Sequence, residues 1–242
     1  MIKLIIVVLY LIIFGIISIP AQIYISIVGK KSPLKAAAFA QKIVKRGFRG
    51  VFFLVGIKVK CIGVENVPKD RPVLFAANHR GFADIASAYA TLPVTTGFVA
   101  KKEMKKAPII STWLNNMRGV YIDRENPKEG LKAILEAIDN VNNGFSMFIL
   151  PEGTRSHTEE MLPFKKGSLK IAEKTKCPIV PVAFTNTDDV FENHFPRVKG
   201  TNITIQYGKP IEVKDLSREE MKDLTETVQL KVKEMLDKNK DK

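Results

Sequence analysis

From residue 57 onward the chain alternates short apolar runs with longer segments whose apolar residues recur at helical spacing. This alternation constrains the fold more than any other feature. Strands separated by crossover helices line up parallel, and the helices cover both faces of the sheet. Strands are expected at 57–62, 72–77, 97–100, 119–122, 146–150, 179–184 and 203–207, and helices at 108–116 and 167–175. Asn126 caps a further helix, with Pro127 at its first position and Glu129 at its third. Leu131, Ile134, Leu135, Ile138 and Val141 form its apolar face, and Gly144 stops it. Ser217 and Glu220 make a capping box for a last helix that faces inward through Met221, Leu224, Val228, Val232, Met235 and Leu236. A frayed tail over 237–242 completes the reading. The fold class is α/β: a mostly parallel, twisted sheet flanked by helices.

The N-terminus has a different character. Residues 4–29 carry no charged side chain, a length compatible with a membrane span. Pro20 divides this stretch. Lys3 is a meagre basic leader for a signal peptide, which fits less well. Residues 33–55 read as a second, amphipathic helix with a basic face that includes Lys42, Lys45, Arg46 and Arg49. Two geometries fit: a single span, or a two-helix motif lying in one leaflet with Pro20 as the bend. Positive charge just after the apolar segment puts that side in the cytoplasm, against anionic head groups. The composition breaks near Val55, which divides the chain into a membrane-associating motif, 1–55, and an α/β domain, 56–242.

The formal charge is +13, from 38 basic and 25 acidic side chains, so an anionic partner is expected. Zinc-finger spacing and RNA-binding aromatic signatures are missing from the sequence, which argues against nucleic acid. Metal-ligand spacing is missing too, and His157 and His194 stand outside any such pattern. Cys61 and Cys177 each lie in an apolar stretch without CxxC spacing and read as buried free thiols. Trp113 sits in an apolar helix, in the core or facing a membrane.

The chemistry centres on Asn78-His79-Arg80-Gly81-Phe82-Ala83-Asp84. This segment follows a strand, where open α/β sheets place their sites. Gly81 marks a turn that folds the Asp84 carboxylate back to one ring nitrogen of His79 and leaves the other free as a base. No Ser or Cys nucleophile stands beside the pair, so it suits deprotonation of a hydroxyl brought by the substrate. A loop histidine satisfied by a nearby carboxylate is the plainer alternative. Pro151-Glu152-Gly153-Thr154-Arg155 follows another strand. Gly153 permits a tight turn with exposed N–H groups, and Arg155 offers a planar fork for phosphate. A surface salt bridge between Glu152 and Arg155 competes with that reading. Lys101 and Lys102 follow a third strand, where a solvated pair of lysines is the plain reading; Arg124 ends a fourth, able to reach the same phosphate or to form a structural pair with Asp123. Lys165 and Lys166 precede a helix start that favours an anion.

These blocks, together with Gly119-Val-Tyr-Ile-Asp-Arg124 and Ile179-Val-Pro-Val182, occur in one order across 57–213. The series resembles the glycerophospholipid acyltransferase family, and within it the 1-acylglycerol-3-phosphate acyltransferases. Tyr121 stands where that family usually has Phe. The resemblance implies a catalytic pair His79 and Asp84, and acceptor-phosphate binding by Glu152, Gly153, Thr154, Arg155 and Lys101. It implies no cofactor and no metal, with acyl-CoA or acyl carrier protein as donor substrate. It also favours the one-leaflet N-terminal motif. The implied partners are membrane lipids and lysophosphatidic acid, at the cytoplasmic face of the cell membrane. Other readings are transfer to glycerol 3-phosphate or a larger lysophospholipid, a lipid hydrolase, or a non-catalytic basic membrane-binding protein.

Overall fold

The computed structural model describes residues 1–158 and 160–240, the last by its backbone alone. The chain opens with α1 (Ile2–Ile17), α2 (Ile19–Gly29) and α3 (Pro33–Val55). It then alternates β1 (Lys58–Ile62), β2 (Leu74–Ala77), α4 (Phe82–Thr91), β3 (Thr96–Lys101), α5 (Pro108–Asn116), β4 (Val120–Ile122), α6 (Pro127–Asn142) and β5 (Ser146–Ile149). It closes with α7 (Lys170–Thr175), β6 (Ile179–Thr185), β7 (Asn202–Tyr207), α8 (Arg218–Lys222) and α9 (Leu224–Lys240).

The strands form one seven-stranded sheet in the order β1-β7-β6-β2-β5-β3-β4. From β6 to β4 every pairing is parallel. β7 runs antiparallel to β6, and β1 is parallel to β7, so the two strands at that edge are reversed. Side chains alternate across the pleat. Phe75, Phe98 and Phe148 lie on one face with residues of α3, α4 and α5. Phe148 stacks on Phe98 at 4.5 Å and on Phe75 at 5.6 Å between centroids. Leu74, Ala76, Met147 and Ile149 lie on the other face, with α6, α7 and α9. Strands buried on both sides are why each reads as a continuous apolar run.

α1 and α2 meet at a 50° bend. The break falls at Ser18, with Pro20 in the first turn of α2, so the proline starts the second helix rather than ending the first. Among the described residues no single helix is long and apolar enough to cross a membrane, while this bent pair passes that test together. α1 sits on α3 through Tyr10 and Phe14. A Cβ on Gly47 would meet the Phe14 ring at 2.9 Å, and one on Gly50 would run into Tyr10. Ala36, Ala40 and Val44 of α3 join the core over the sheet.

The basic face of α3 has a structural use. Lys45 Nζ donates to the Leu92 carbonyl at 3.1 Å and Arg49 Nε to the Ala90 carbonyl at 3.1 Å. These cations therefore satisfy the open carbonyls where α4 ends. Burial pulls the Lys45 ammonium below its ordinary value.

Several expectations are corrected. Leu131 and Leu135 are exposed, and α6 packs through Ala133, Ala137 and Val141. Small side chains let that helix approach closely and leave the flanking leucines in solvent. Cys61 is exposed at the edge strand β1, while Cys177 is buried. The Ser217–Glu220 capping box forms, but it opens the short α8. α9 continues to Lys240, through most of the tail expected to fray; residues 241 and 242 lie outside the described residues. Segment 167–175 opens as a 3₁₀ turn, Lys166–Leu169, before α7. Trp113 is buried.

Candidate active site

β2 ends at Ala77, and buried Asn78 continues its pairing by side chain. Its Nδ2 donates to the Phe184 carbonyl at 3.0 Å, and its Oδ1 accepts from Phe184 N–H at 2.8 Å. The chain is thus pinned to β6 immediately before it leaves the sheet. Gly81 then caps α4, which begins at Phe82. Asp84 is therefore in the first helical turn, not in the turn before the helix as the glycine suggested. Its Oδ2 accepts from Arg80 N–H at 2.7 Å, Gly81 N–H at 2.9 Å and His79 Nδ1 at 2.7 Å. A carboxylate at this position stabilises the helix start. An ionised carboxylate only accepts, so Nδ1 carries the His79 proton and Nε2 is left with a lone pair. The Asp84 side chain is fully buried; that of His79 is 16% exposed.

The second block reaches the same place from β5. Glu152 is buried, and its carboxylate faces inward. Oε1 accepts from His79 N–H at 2.6 Å and Oε2 from Leu162 N–H at 2.8 Å. It holds the backbone of the histidine, and Arg155 pairs with Glu192 in place of the Glu152–Arg155 salt bridge weighed from sequence. Burial pushes the Glu152 carboxyl up to about 7, against the pull of those two N–H bonds. Gly153 adopts φ 77°, a conformation that favours glycine. Its N–H closes a turn onto the Leu150 carbonyl at 3.0 Å and so is not an open donor. A Cβ there would lie 2.8 Å from Lys165 Nζ, so the glycine also admits that lysine. Thr154 is exposed. Ser156 N–H donates to the His79 carbonyl at 2.8 Å, which ties the end of this block to the first.

Arg155 lies over the Phe82 ring, 4.5 Å from its centroid, and Nη1 donates to Glu192 Oε1 at 3.0 Å. Arg80 reaches Asp188 at 2.7 Å. Both acids belong to the segment between β6 and β7. Sequence reasoning missed them, because that segment carries no periodicity and its contacts reach back 37 residues to Arg155 and 108 to Arg80. Lys101 ends β3 and pairs loosely with Glu103 at 3.6 Å. Arg124 is exposed just beyond β4, and neighbouring Asp123 holds Lys102 at 2.7 Å. These groups stand at the carboxyl ends of the parallel strands β6, β2, β5, β3 and β4, the edge where such sheets carry their chemistry.

A parallel α/β sheet bearing a histidine–aspartate pair at that edge defines a class, and comparison with known proteins specifies it. The family model described as "Acyltransferase" matches residues 58–185, and the chain belongs to that family. Among curated relatives, the 1-acyl-sn-glycerol-3-phosphate acyltransferase of Saccharomyces cerevisiae is 32% identical over 219 residues, covering 88% of this chain and 70% of that one. The enzyme of the same name from Cocos nucifera is 35% identical over 64% of this chain, and the match spans 51% of the relative. That from Borreliella burgdorferi is 31% identical, covering 73% and 70%. The crystal structure of the 1-acyl-sn-glycerophosphate (LPA) acyltransferase PlsC from Thermotoga maritima superposes with a TM-score of 0.81 at 27% identity, covering 100% of this chain and 98% of that one.

Proposed function

We propose that this acyltransferase transfers a fatty acyl group from a thioester, acyl-CoA or acyl carrier protein, to the free hydroxyl of 1-acylglycerol 3-phosphate, giving phosphatidic acid. His79 Nε2 takes the hydroxyl proton. The alkoxide oxygen attacks the thioester carbonyl, the C–S bond breaks, and the imidazolium returns its proton to the departing thiolate. Asp84 holds the required tautomer and stabilises the imidazolium. Arg155 binds the acceptor phosphate with help from Lys101 and, at longer range, Arg124. Glu152 and Gly153 shape the loop that carries Arg155, with Thr154 open to the acceptor. No cofactor takes part.

The observation that carries this reading is the 2.7 Å contact between His79 Nδ1 and Asp84, which leaves Nε2 free beside the segment bearing Arg155. Both lipid substrate and lipid product reside in a bilayer. Residues 1–55 act as the membrane-associating motif, with α1 exposing Ile5, Leu9, Ile12 and Ile16 and α2 exposing Ile23 and Ile27, and they bring domain 56–242 to the cytoplasmic face. The test is acyl transfer from a thioester to 1-acylglycerol 3-phosphate in mixed micelles. Diacylglycerol phosphate is the expected product. Release of free fatty acid without acceptor would instead mark a hydrolase, and vesicle binding without turnover of any lysolipid would mark a binding protein.

A further inference from the structure

The segment 186–199, which joins β6 to β7, is a run of short 3₁₀ turns held together by its own acids. It delivers Glu192 to the mouth of the site. Glu192 Oε1 accepts from Phe82 N–H, at the first residue of α4, at 2.8 Å and from Arg155 Nη1 at 3.0 Å. Its Oε2 is buried and has no hydrogen-bond donor among the described residues. Gly81 lies against it: a Cβ there would come within 2.5 Å of Oε2. The side chain is 13% exposed. A guanidinium combined with an open N–H at a helix start favours an anion. In this chain the anion that fills the place is one of its own carboxylates, seated with one oxygen unsatisfied.

We propose that Glu192 is an intramolecular competitor for Arg155: the acceptor's phosphate displaces it on binding, and it displaces the product's phosphate on release. The proposal rests on the assignment of Arg155 to phosphate made above. Its logic is chemical. Substrate and product carry the same phosphate monoester, so a site that held phosphate without competition would hold product as firmly as substrate. A carboxylate tethered beside the guanidinium is present at high effective concentration and weakens both equally. The phosphate still wins when bound, because it brings more negative charge and three acceptor oxygens, where Glu192 leaves one oxygen without a donor. When phosphate leaves, Arg155 is not stranded, because Glu192 returns to it.

The test uses the full chain in detergent, with inorganic phosphate as probe. Stabilisation against heat is measured over a phosphate titration for wild type, Glu192→Gln, Glu192→Ala and Arg155→Gln. Both Glu192 variants are expected to bind phosphate about three- to tenfold more tightly, the range set by losing one part-buried ion pair, and Arg155→Gln to lose the response. Inhibition by phosphatidic acid in the transfer assay is expected to tighten by the same factor. Either Glu192 variant suffices if the other folds poorly. Unchanged or weaker phosphate binding in them would overturn the proposal and make Glu192 a residue that merely orients Arg155. A wild type that transfers acyl groups while phosphate affinity ignores Glu192 rejects the competitor and keeps the transferase. A wild type without turnover, in which Glu192→Gln still tightens phosphate, does the reverse.

Discussion

Among the described residues two histidine–carboxylate pairs form, each five residues apart in sequence and each closing at 2.7 Å: His79 with Asp84, and His194 with Asp189. Their surroundings separate them. Asp84 is wholly buried and gathers two backbone N–H groups besides the imidazole. His79 is fixed on both flanks, its N–H by Glu152 and its carbonyl by Ser156. Asp189 and His194 are about a third exposed, and Asp189 divides itself between His194, Lys199 and Thr201. The first pair uses Nδ1 and leaves Nε2 as a base; the second uses Nε2 and serves to close a loop. Distance therefore does not make a dyad. Preorganisation in a site with little water does, because it strengthens the bond and removes the need to reorganise as charge develops. Solvent screens the second pair, which stabilises a loop only modestly.

The largest effect that would sharpen this contrast is on the base. In acyl-transfer assays His79→Ala is expected to lose about 10²- to 10⁴-fold in kcat, the range for a positioned general base. His194→Ala is expected to stay within about threefold, as for loss of a screened surface pair. Equal losses in the two variants would break the comparison. The carboxylates follow. In Asp84→Asn an amide oxygen can still accept from His79, Arg80 and Gly81, so the loss isolates the charge that stabilises an imidazolium. About a hundredfold in kcat at unchanged KM is expected, a loss confined to the transition state. Asp189→Asn removes the charge from a pair about a third exposed and is expected to cost less than about threefold, because such pairs contribute little.

How much of this was legible depends on the range of the interaction. The His79–Asp84 contact could be read because it is local: Gly81 announces a break in the chain, and five residues suffice to close it. The same glycine misled on detail, since it caps α4 and leaves Asp84 inside the helix. The central strands were readable because burial on both faces makes each a largely apolar run, whereas β1 and β7 are only partly buried. The strand order, and the reversal of β1 and β7, was not readable, because a buried strand has the same composition in either direction. In α6 the expected face was only partly right: Ile134, Ile138 and Val141 pack as expected, but Ala133 and Ala137 take the places expected for Leu131 and Leu135, and hydrophobicity alone ranks them the other way. Glu152 was found by its motif, but whether a residue after a strand points inward is fixed by contacts with His79 and Leu162 that are distant in sequence. Glu192 carried no local signal.

Glu152 offers the next largest effect, with a sign that can be worked out. Its two oxygens face two N–H donors. Glu152→Gln turns one acceptor into a donor pointed at a donor, expected to cost about 1–3 kcal/mol of stability and about tenfold in kcat as the His79 backbone loosens. Burial raises the folded-state value from the ordinary carboxyl range to about 7. The folded state then binds this proton more tightly than the unfolded one. The linked stability is fully present below the ordinary value and is lost as pH rises towards 7. Wild-type stability minus that of Glu152→Gln, from denaturant unfolding, should therefore fall between mildly acidic and neutral pH and flatten beyond. A difference that rises over that interval would show that the two N–H bonds outweigh burial.

The smallest effects separate the cations at the far end of the site. Phosphate held by Arg155 sits beyond β5. In the sheet order β2-β5-β3-β4, Lys101 is one strand away and Arg124 two. At 4.7–4.9 Å per strand, those offsets are about 5 Å and about 10 Å. The flexible four-carbon stem of Lys101 spans the first; its side chain is half exposed and pairs with Glu103 at 3.6 Å. Exposed Arg124 acts on phosphate chiefly through its field, which at a Debye length of about 10 Å in 0.1 M salt is already strongly damped. Lys101→Ala is therefore expected to raise KM for 1-acylglycerol 3-phosphate by about three- to tenfold at all ionic strengths, as for loss of a direct charged contact. Arg124→Ala is expected to raise it about twofold in dilute buffer and to match wild type in 0.3 M salt, as screening removes a contribution made at a distance. A salt-independent effect of Arg124→Ala would mean that its guanidinium touches the phosphate, and that the acceptor lies further towards β4 than Arg155 alone would place it.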